Sequence, residues 1–364
     1  MRIGIACYPT YGGSGVVASE LGRALQARGH KVHLFSYRVP FKVDGRREGI
    51  CFHEVGDPKY PLFEHPSYGM ALVARLAAVA RRDGLDVIHA HYAYPHSLSA
   101  LMARDLSLPG KVKVVTTLHG TDITLVGRDP SFGPLIRHAI EKSDRVTSVS
   151  AWLVERTREL FDVNHPIDVI PNFVDPEAFR PRKRRRSGPP VLMYVSNFRP
   201  VKRPLDAVEV FARVSRKMDA RLVMVGDGPE LEGTRRQVAR LRMGRKVSFV
   251  APRRDVGSVI SRADALVVTS ETESFGLVAL EAMACGVPVT ATRCGGIEEL
   301  VLDGSTGYLA PVGDIRGLAE ASLRLLQNRE DAVRMGEAAR RIALERYATP
   351  QVVAQYEAVY LEDR

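Results

Sequence analysis

Short apolar runs alternate with helical stretches along this chain, and the alternation stops once and starts again. Ile3–Cys7, Lys31–Ser36, Val87–Ala90, Lys113–Leu118, Arg145–Val149 and Ile167–Ile170 read as buried strands. After a basic segment the pattern resumes at Val191–Val195, Leu222–Val225, Val247–Val250, Leu266–Val268 and Val289–Ala291. Strands that alternate with helices fold as a parallel sheet, because each crossover helix returns the chain to the same edge. The 364 residues exceed what one hydrophobic core ordinarily holds. The expectation is therefore α/β, with two Rossmann-like domains in tandem. The segment Arg182-Lys183-Arg184-Arg185-Arg186, bounded by Pro181 and Gly188-Pro189-Pro190, reads as the linker. Residues 350–364 read as an amphipathic terminal helix.

In open parallel sheets, ligands bind beyond the carboxyl ends of the strands. The polar and glycine-rich groups of this chain cluster there. Gly12-Gly13-Ser14-Gly15 follows the first strand, where free amides at a helix start can receive an anion. It is neither GxGxxG nor a Walker A loop, and a tight strand-to-helix turn explains it equally. His119-Gly120-Thr121-Asp122 follows Val114–Leu118. It could hold a hydroxylated substrate, or simply cap a turn through Thr121 or Asp122. Asn197 through Arg203 follows Val191–Val195 and offers cations to a phosphate. Glu273-Ser274-Phe275-Gly276-Leu277 leads to Glu281. At eight residues, a little over two turns at ~3.6 per turn, Glu281 is expected to share a helical face with Glu273. A carboxylate there suits a vicinal diol such as ribose, and the alternative is an ion-paired surface glutamate.

Several function classes are disfavoured. No apolar run reaches the ~18–20 residues of a membrane span. The first residues lack the zones of a signal peptide, so a cytoplasmic enzyme is expected. Cys7, Cys51, Cys285 and Cys294 form no CxxC pair. His89, His91 and His96 straddle a strand end rather than forming a metal-binding i, i+4 pair, so no metal and no cofactor is expected. The excess of 10 positive charges raises nucleic acid as another class of partner, but basic and aromatic residues do not interleave as stacking surfaces require. The helix Val16–Arg28 carries only Arg23 and Arg28, which argues against stable membrane docking. Self-association is left open.

Together these motifs resemble the retaining glycosyltransferases of family GT4, with the GT-B fold, along essentially the whole chain. Glu273 to Glu281 matches that family's E-x7-E motif, supported by the loops at residues 12–15 and 119–122. Cys7-Tyr8-Pro9, His89-Ala90-His91-Tyr92, Pro95-His96 and Ser196-Asn197-Phe198-Arg199 resemble the branch that transfers N-acetylglucosamine from UDP-GlcNAc to L-malate, the first step of bacillithiol synthesis. A family enzyme with another sugar and a small-molecule or lipid acceptor is the alternative.

The resemblance implies two domains facing across a cleft. Residues 1–180 plus the terminal helix 350–364 would hold the acceptor, and residues 181–349 the nucleotide sugar. It implies catalytic roles for His119, Lys202 and Glu273. Donor contacts would come from Gly13, Arg199, Lys202, Ser274, Phe275, Gly276, Leu277 and Glu281. Many members carry an arginine five residues before the lysine. Here that position is Asn197, and Arg199 is the candidate substitute. Ser14, Tyr92, Thr117 and Arg145 are the expected acceptor contacts, and the UDP-sugar is a co-substrate rather than a cofactor.

Overall fold

A computed structural model describes residues 1–10, 13–40, 49–56, 67–107, 112–182 and 188–362. The chain divides into two compact units: residues 1–171 with 350–364, and residues 172–349. The break falls nine residues before the expected one. Residues 172–180 belong with the second unit because Val174 pairs with Ala348 and Phe179 packs at Gly257. Within the basic linker, Lys183 to Arg186 lie outside the described residues, as does Gly12 of the glycine loop.

The first unit is built on seven strands: β1 Arg2–Ala6, β2 Lys31–Ser36, β3 Cys51–Glu54, β4 Val87–His91, β5 Lys113–Leu118, β6 Arg145–Ser148 and β7 Ile167–Val169. Their spatial order is β3-β2-β1-β4-β5-β6-β7, and every pairing is parallel. β1, β2, β4 and β5 are buried almost throughout, as a sheet covered by helices on both faces requires. β3 was not expected from the sequence. It is four residues long and mixes polar with apolar side chains.

The terminal helix Thr349–Leu361 packs onto this unit, as the sequence suggested. Val352, Val353, Tyr356, Val359 and Tyr360 form its buried stripe at helical spacing. Lys113, at the start of β5, is buried and donates to the carbonyls of Val359, Tyr360 and Glu362. These are the orphan acceptors of a helix end, where a cation is favoured.

The second unit holds β8 Val191–Val195, β9 Arg221–Val225, β10 Val247–Val250, β11 Ala265–Val268, β12 Val289–Thr292 and β13 Gly307–Ala310. The order is β10-β9-β8-β11-β12-β13, again wholly parallel. Its core gathers Leu192, Leu222, Met224 and Val267 with Phe211 of the helix Pro204–Lys217 and Leu318 of the helix Ile315–Gln327.

Both sheets reverse their strand order once. In the first unit the chain runs outward from β1 and returns to lay β4 on its other side. In the second, β11 returns beside β8. Loops leaving these paired strands diverge to opposite faces and open a crevice at the carboxyl edge. The two crevices are where chemistry is expected.

Candidate active site

At the β8/β11 crevice, Lys202 and Glu273 meet. Lys202 Nζ lies 2.7 Å from Glu273 Oε1, and Ser270 Oγ donates to the same oxygen at 2.7 Å. Glu273 is 8% exposed, so its charge is held by two partners rather than by water. Lys202 ends a short 3-10 turn, Pro200–Lys202, whose carbonyls are clamped from β8 and from the loop after β11. Tyr194 Oη and Thr269 Oγ1 both donate to Lys202 O at 3.0 Å, and the Glu271 amide donates to Val201 O at 2.8 Å. The lysine therefore leaves a loop whose path is fixed by several hydrogen bonds. Arg199 precedes that turn and is half-buried.

Glu273 does not lie on a helix. Its backbone bridges to Gly295, and its carbonyl accepts from the Gly296 amide at 2.9 Å. The helix begins only at Leu277 and runs to Ala284. Gly276 caps it at φ 96°, a left-handed conformation that L side chains rarely adopt. The expected helical phase between Glu273 and Glu281 is thus replaced by a loop-then-helix arrangement. No side chain caps the first turn, so amides near Gly276 and Leu277 are oriented to receive an anion. Ser274 is half-buried. The Phe275 ring is buried against Tyr347 and contributes to packing, leaving its backbone as the part suited to a ligand. Glu281 is half-buried in the middle of the helix.

A second support of this crevice was not expected. Gly226 and Gly228, after β9, pack their α-carbons directly against the carbonyls of Ser196 and Asn197. Phe198 adopts φ 42° and is fully buried, with its ring 5.7 Å from Tyr194. The Gly226-Asp227-Gly228 triplet directly after an apolar strand was the available signal.

The first unit's crevice, between β1 and β4, is lined differently. Ser14 opens the helix Ser14–Ala27 behind Gly13, which caps it at φ 62° without a side-chain cap. Ser14 Oγ donates to Tyr92 Oη at 2.6 Å, linking the two sides of the crevice. Tyr92 has φ 91°, a strained value for a residue with a side chain. Tyr8 adds a ring 5.7 Å from Tyr92 and 4.5 Å from His96. Tyr8 and His96 complete this wall, although neither was among the expected acceptor contacts.

Behind that wall stands a chain of imidazoles. His91 Nδ1 and His119 Nε2 are 2.8 Å apart, so one ring donates to the other. His89 bonds Tyr360 Oη at 2.7 Å through Nδ1 and Thr117 Oγ1 at 2.6 Å through Nε2. Burial lowers the pKa of His89, His96 and His119 to about 3 and also lowers that of His91, so all four rings are neutral near pH 7. Asp122 accepts from the amides of Ala93, His119 and Gly120, and burial raises its carboxyl to about 6. It fixes the His119-Gly120 turn rather than capping the following helix, whose N-cap is Gly120.

Two expected acceptor residues are corrected. Thr117 is fully buried, with its hydroxyl shared between His89 and Thr147 at 2.6 and 2.7 Å. Its hydroxyl is committed inside the fold, through His89 to Tyr360 of the terminal helix. Arg145 is the first residue of β6, at the amino edge of the sheet, opposite to the ligand-binding edge. Its guanidinium pairs with Asp168 at 2.6 Å and with Glu362. That is a fastening of the terminal helix.

The glycosyl transferases group 1 model matches residues 175–342, and the glycosyltransferase family 4 model matches residues 11–178. The chain is 42% identical to the N-acetyl-alpha-D-glucosaminyl L-malate synthase of Bacillus anthracis, covering 100% of this chain and 97% of that one. Solved structures with the same fold include a glycosyltransferase from Rickettsia africae, at TM-score 0.83 and 20% identity, covering 99% of this chain and 97% of the other. An Anabaena protein solved with UDP and glucose follows at TM-score 0.81 and 20% identity, covering 99% of both chains. With the parallel sheets, the two crevices and these matches agreeing, the chain belongs to the family 4 glycosyltransferases and has their GT-B fold.

Proposed function

We propose that this enzyme transfers N-acetylglucosamine from UDP-GlcNAc to the hydroxyl of L-malate, with retention at the anomeric carbon and without a metal ion, in the cytoplasm. The observation that carries the reading is the Lys202–Glu273 pair beside the uncapped helix start at Leu277. A cation and oriented amides at one crevice can neutralise a diphosphate leaving group, the work a divalent ion does elsewhere. The relative from Bacillus anthracis supports the choice of sugar and acceptor.

In this reading the bond between the sugar's anomeric carbon and the β-phosphate oxygen breaks as the bond to the malate oxygen forms on the same face. The departing phosphate oxygen takes the malate proton, and Lys202 holds the negative charge that accumulates on UDP. Glu281 accepts from the ribose hydroxyls, and Arg199 adds positive charge toward the phosphates. On the first unit, neutral His119 offers a hydrogen bond to a sugar hydroxyl without imposing charge. Ser14, Tyr92 and the amides at the start of the helix Ser14–Ala27 receive the acceptor's carboxylates.

A product assay tests this. UDP release and product mass are measured with UDP-GlcNAc, UDP-glucose and GDP-mannose, each with L-malate, inositol or buffer, with and without EDTA. Glycosylated malate formed from UDP-GlcNAc in EDTA is the expected result. Turnover only with another pair, or only after adding Mg²⁺ or Mn²⁺, overturns it.

A further inference from the structure

At the opposite edge of the first unit's sheet, three metal-ligating side chains converge. His33 on β2 and His53 on β3 are both buried, and Asp83 ends the helix Tyr68–Asp83 above them. His33 Nδ1 is 2.9 Å from His53 Nε2 and 3.6 Å from Asp83 Oδ2, and all three donor atoms lie within 4.8 Å of one another. Among the described residues this is the one group of three or more His, Cys, Asp or Glu with such spacing.

We propose that His33, His53 and Asp83 form a binding site for a zinc-class divalent cation that fastens the edge strand β3. Zinc–ligand bonds of ~2.0–2.1 Å in a tetrahedron place donor atoms about 3.3–3.4 Å apart. The His33–His53 and His33–Asp83 separations lie on either side of that value, and because the two ring planes are nearly parallel, 2° apart, they must turn away from their shared hydrogen bond to converge on an ion. Two imidazoles and one carboxylate with one open position form a donor set that zinc commonly takes, water being the fourth ligand.

A cation here would take the place of the single proton that the two rings share. A neutral His33–His53 contact needs a proton between the two facing nitrogens. If His53 donates it, His33 carries its own proton on Nε2. If His33 donates it, Nε2 is left as a bare acceptor. His33 Nε2 is buried without a partner in the structure. A cation binds both facing lone pairs and needs no shared proton. Asp83 then supplies compensating charge, and its Oδ2 has a lone pair besides the one engaged by Arg82 at 2.7 Å. Burial lowers the pKa of both rings, which keeps them in the neutral, ligating form.

The location explains what such an ion would do. β3 is the last strand of its sheet and only four residues long. A bond from β2 through the ion to β3 and to the helix end would tie three elements together at the outer edge of the sheet.

The test uses the full chain, stripped with a chelator and dialysed. Zn²⁺ is titrated against a chromophoric competitor, and Co²⁺ is followed by its visible d–d bands. Wild type is expected to bind one ion per chain in this corner, with tetrahedral Co²⁺ bands and a raised Tm. His53→Gln and the partly exposed Asp83→Asn should each weaken binding by ~10-fold or more, with far-UV circular dichroism unchanged. Failure of the wild type to bind Zn²⁺, or wild-type affinity in either variant, overturns the assignment.

Discussion

Lys202 and Glu273 are joined across the β8/β11 crevice by a 2.7 Å ion pair, and Glu273 is the buried partner. Each therefore depends on the other: the carboxylate aims the ammonium, and the ammonium stabilises a carboxylate that water barely reaches. Lys202→Met should lower kcat by ~10²–10³-fold, the cost of losing one group that stabilises developing charge. It should also lower Tm, because it leaves the buried Glu273 charge without its cation. Adding Glu273→Gln should recover the Tm and none of the activity. Kinetics and melting on the two proteins check this, and a double variant as active as wild type would remove Lys202 from the chemistry.

The loops of that crevice are held by glycines. A Cβ on Gly228, at φ 152°, would collide with the Asn197 carbonyl, and one on Gly226, at φ 135°, with that of Ser196. Gly228→Ala should push the Ser196–Lys202 loop aside, raising the donor KM and lowering kcat, and should cost on the order of 2–4 kcal/mol of stability. Denaturant unfolding and donor titration measure both, and a variant with unchanged kcat and KM would show that this loop contact positions nothing.

Arg145 tests the amino edge of the first unit. With Asp168 and Glu362 as partners, Arg145→Ala should loosen the terminal helix. The pair is partly exposed, so the expected loss is about 1 kcal/mol, or roughly 2–4 °C in Tm. The KM for L-malate should stay near wild type. A several-fold rise in that KM with an unchanged Tm would return Arg145 to the acceptor site.

Much of this fold was legible because a sheet buried on both faces needs nearly continuous apolar strands, and these stand out in the sequence. The two strands not expected, Cys51–Glu54 and Gly307–Ala310, are four residues long and lie on sheet edges, and the first of them also mixes polar with apolar side chains. The Lys202 and Glu273 loops were placed correctly at strand ends, but their direct pairing depends on β11 folding back beside β8, which no local pattern reveals. Thr117 was misread for a related reason. In a strand buried on both faces, alternation does not say which face meets a ligand. Arg145 was readable: as the first residue of its apolar run it already stood at the amino end. The Glu273–Glu281 spacing misled because Gly276 delays the helix start, so residue count does not translate into helical phase.

The last prediction concerns acid. All ten histidines of the chain, from His30 to His165, fall in the first unit. His89, His96 and His119 have pKa values of about 3 when folded, against a usual 6.5. Their lowered values mean that the unfolded chain binds more protons between those limits. Stability is therefore complete above about pH 6.5 and declines as pH falls toward 3. Each ring kept neutral costs about 1.4 kcal/mol per pH unit below its unfolded value, or about 2 kcal/mol at pH 5. Three such rings reach the scale of a domain's whole net stability of ~5–15 kcal/mol. Asp122 acts in the opposite direction, because its carboxyl is raised to about 6 and gains stability on protonation as pH falls from 6 toward 4. One group does not offset three. In chelator-treated protein, urea-dependent amide exchange at pH 7, 6 and 5 should show the first unit losing protection progressively while the second unit, with no histidine, changes little. UDP-sugar turnover should decline over the same range as the His91–His119 contact opens. Parallel loss of protection in both units, or a first unit as stable at pH 5 as at pH 7, would show that these rings are not held neutral by the fold.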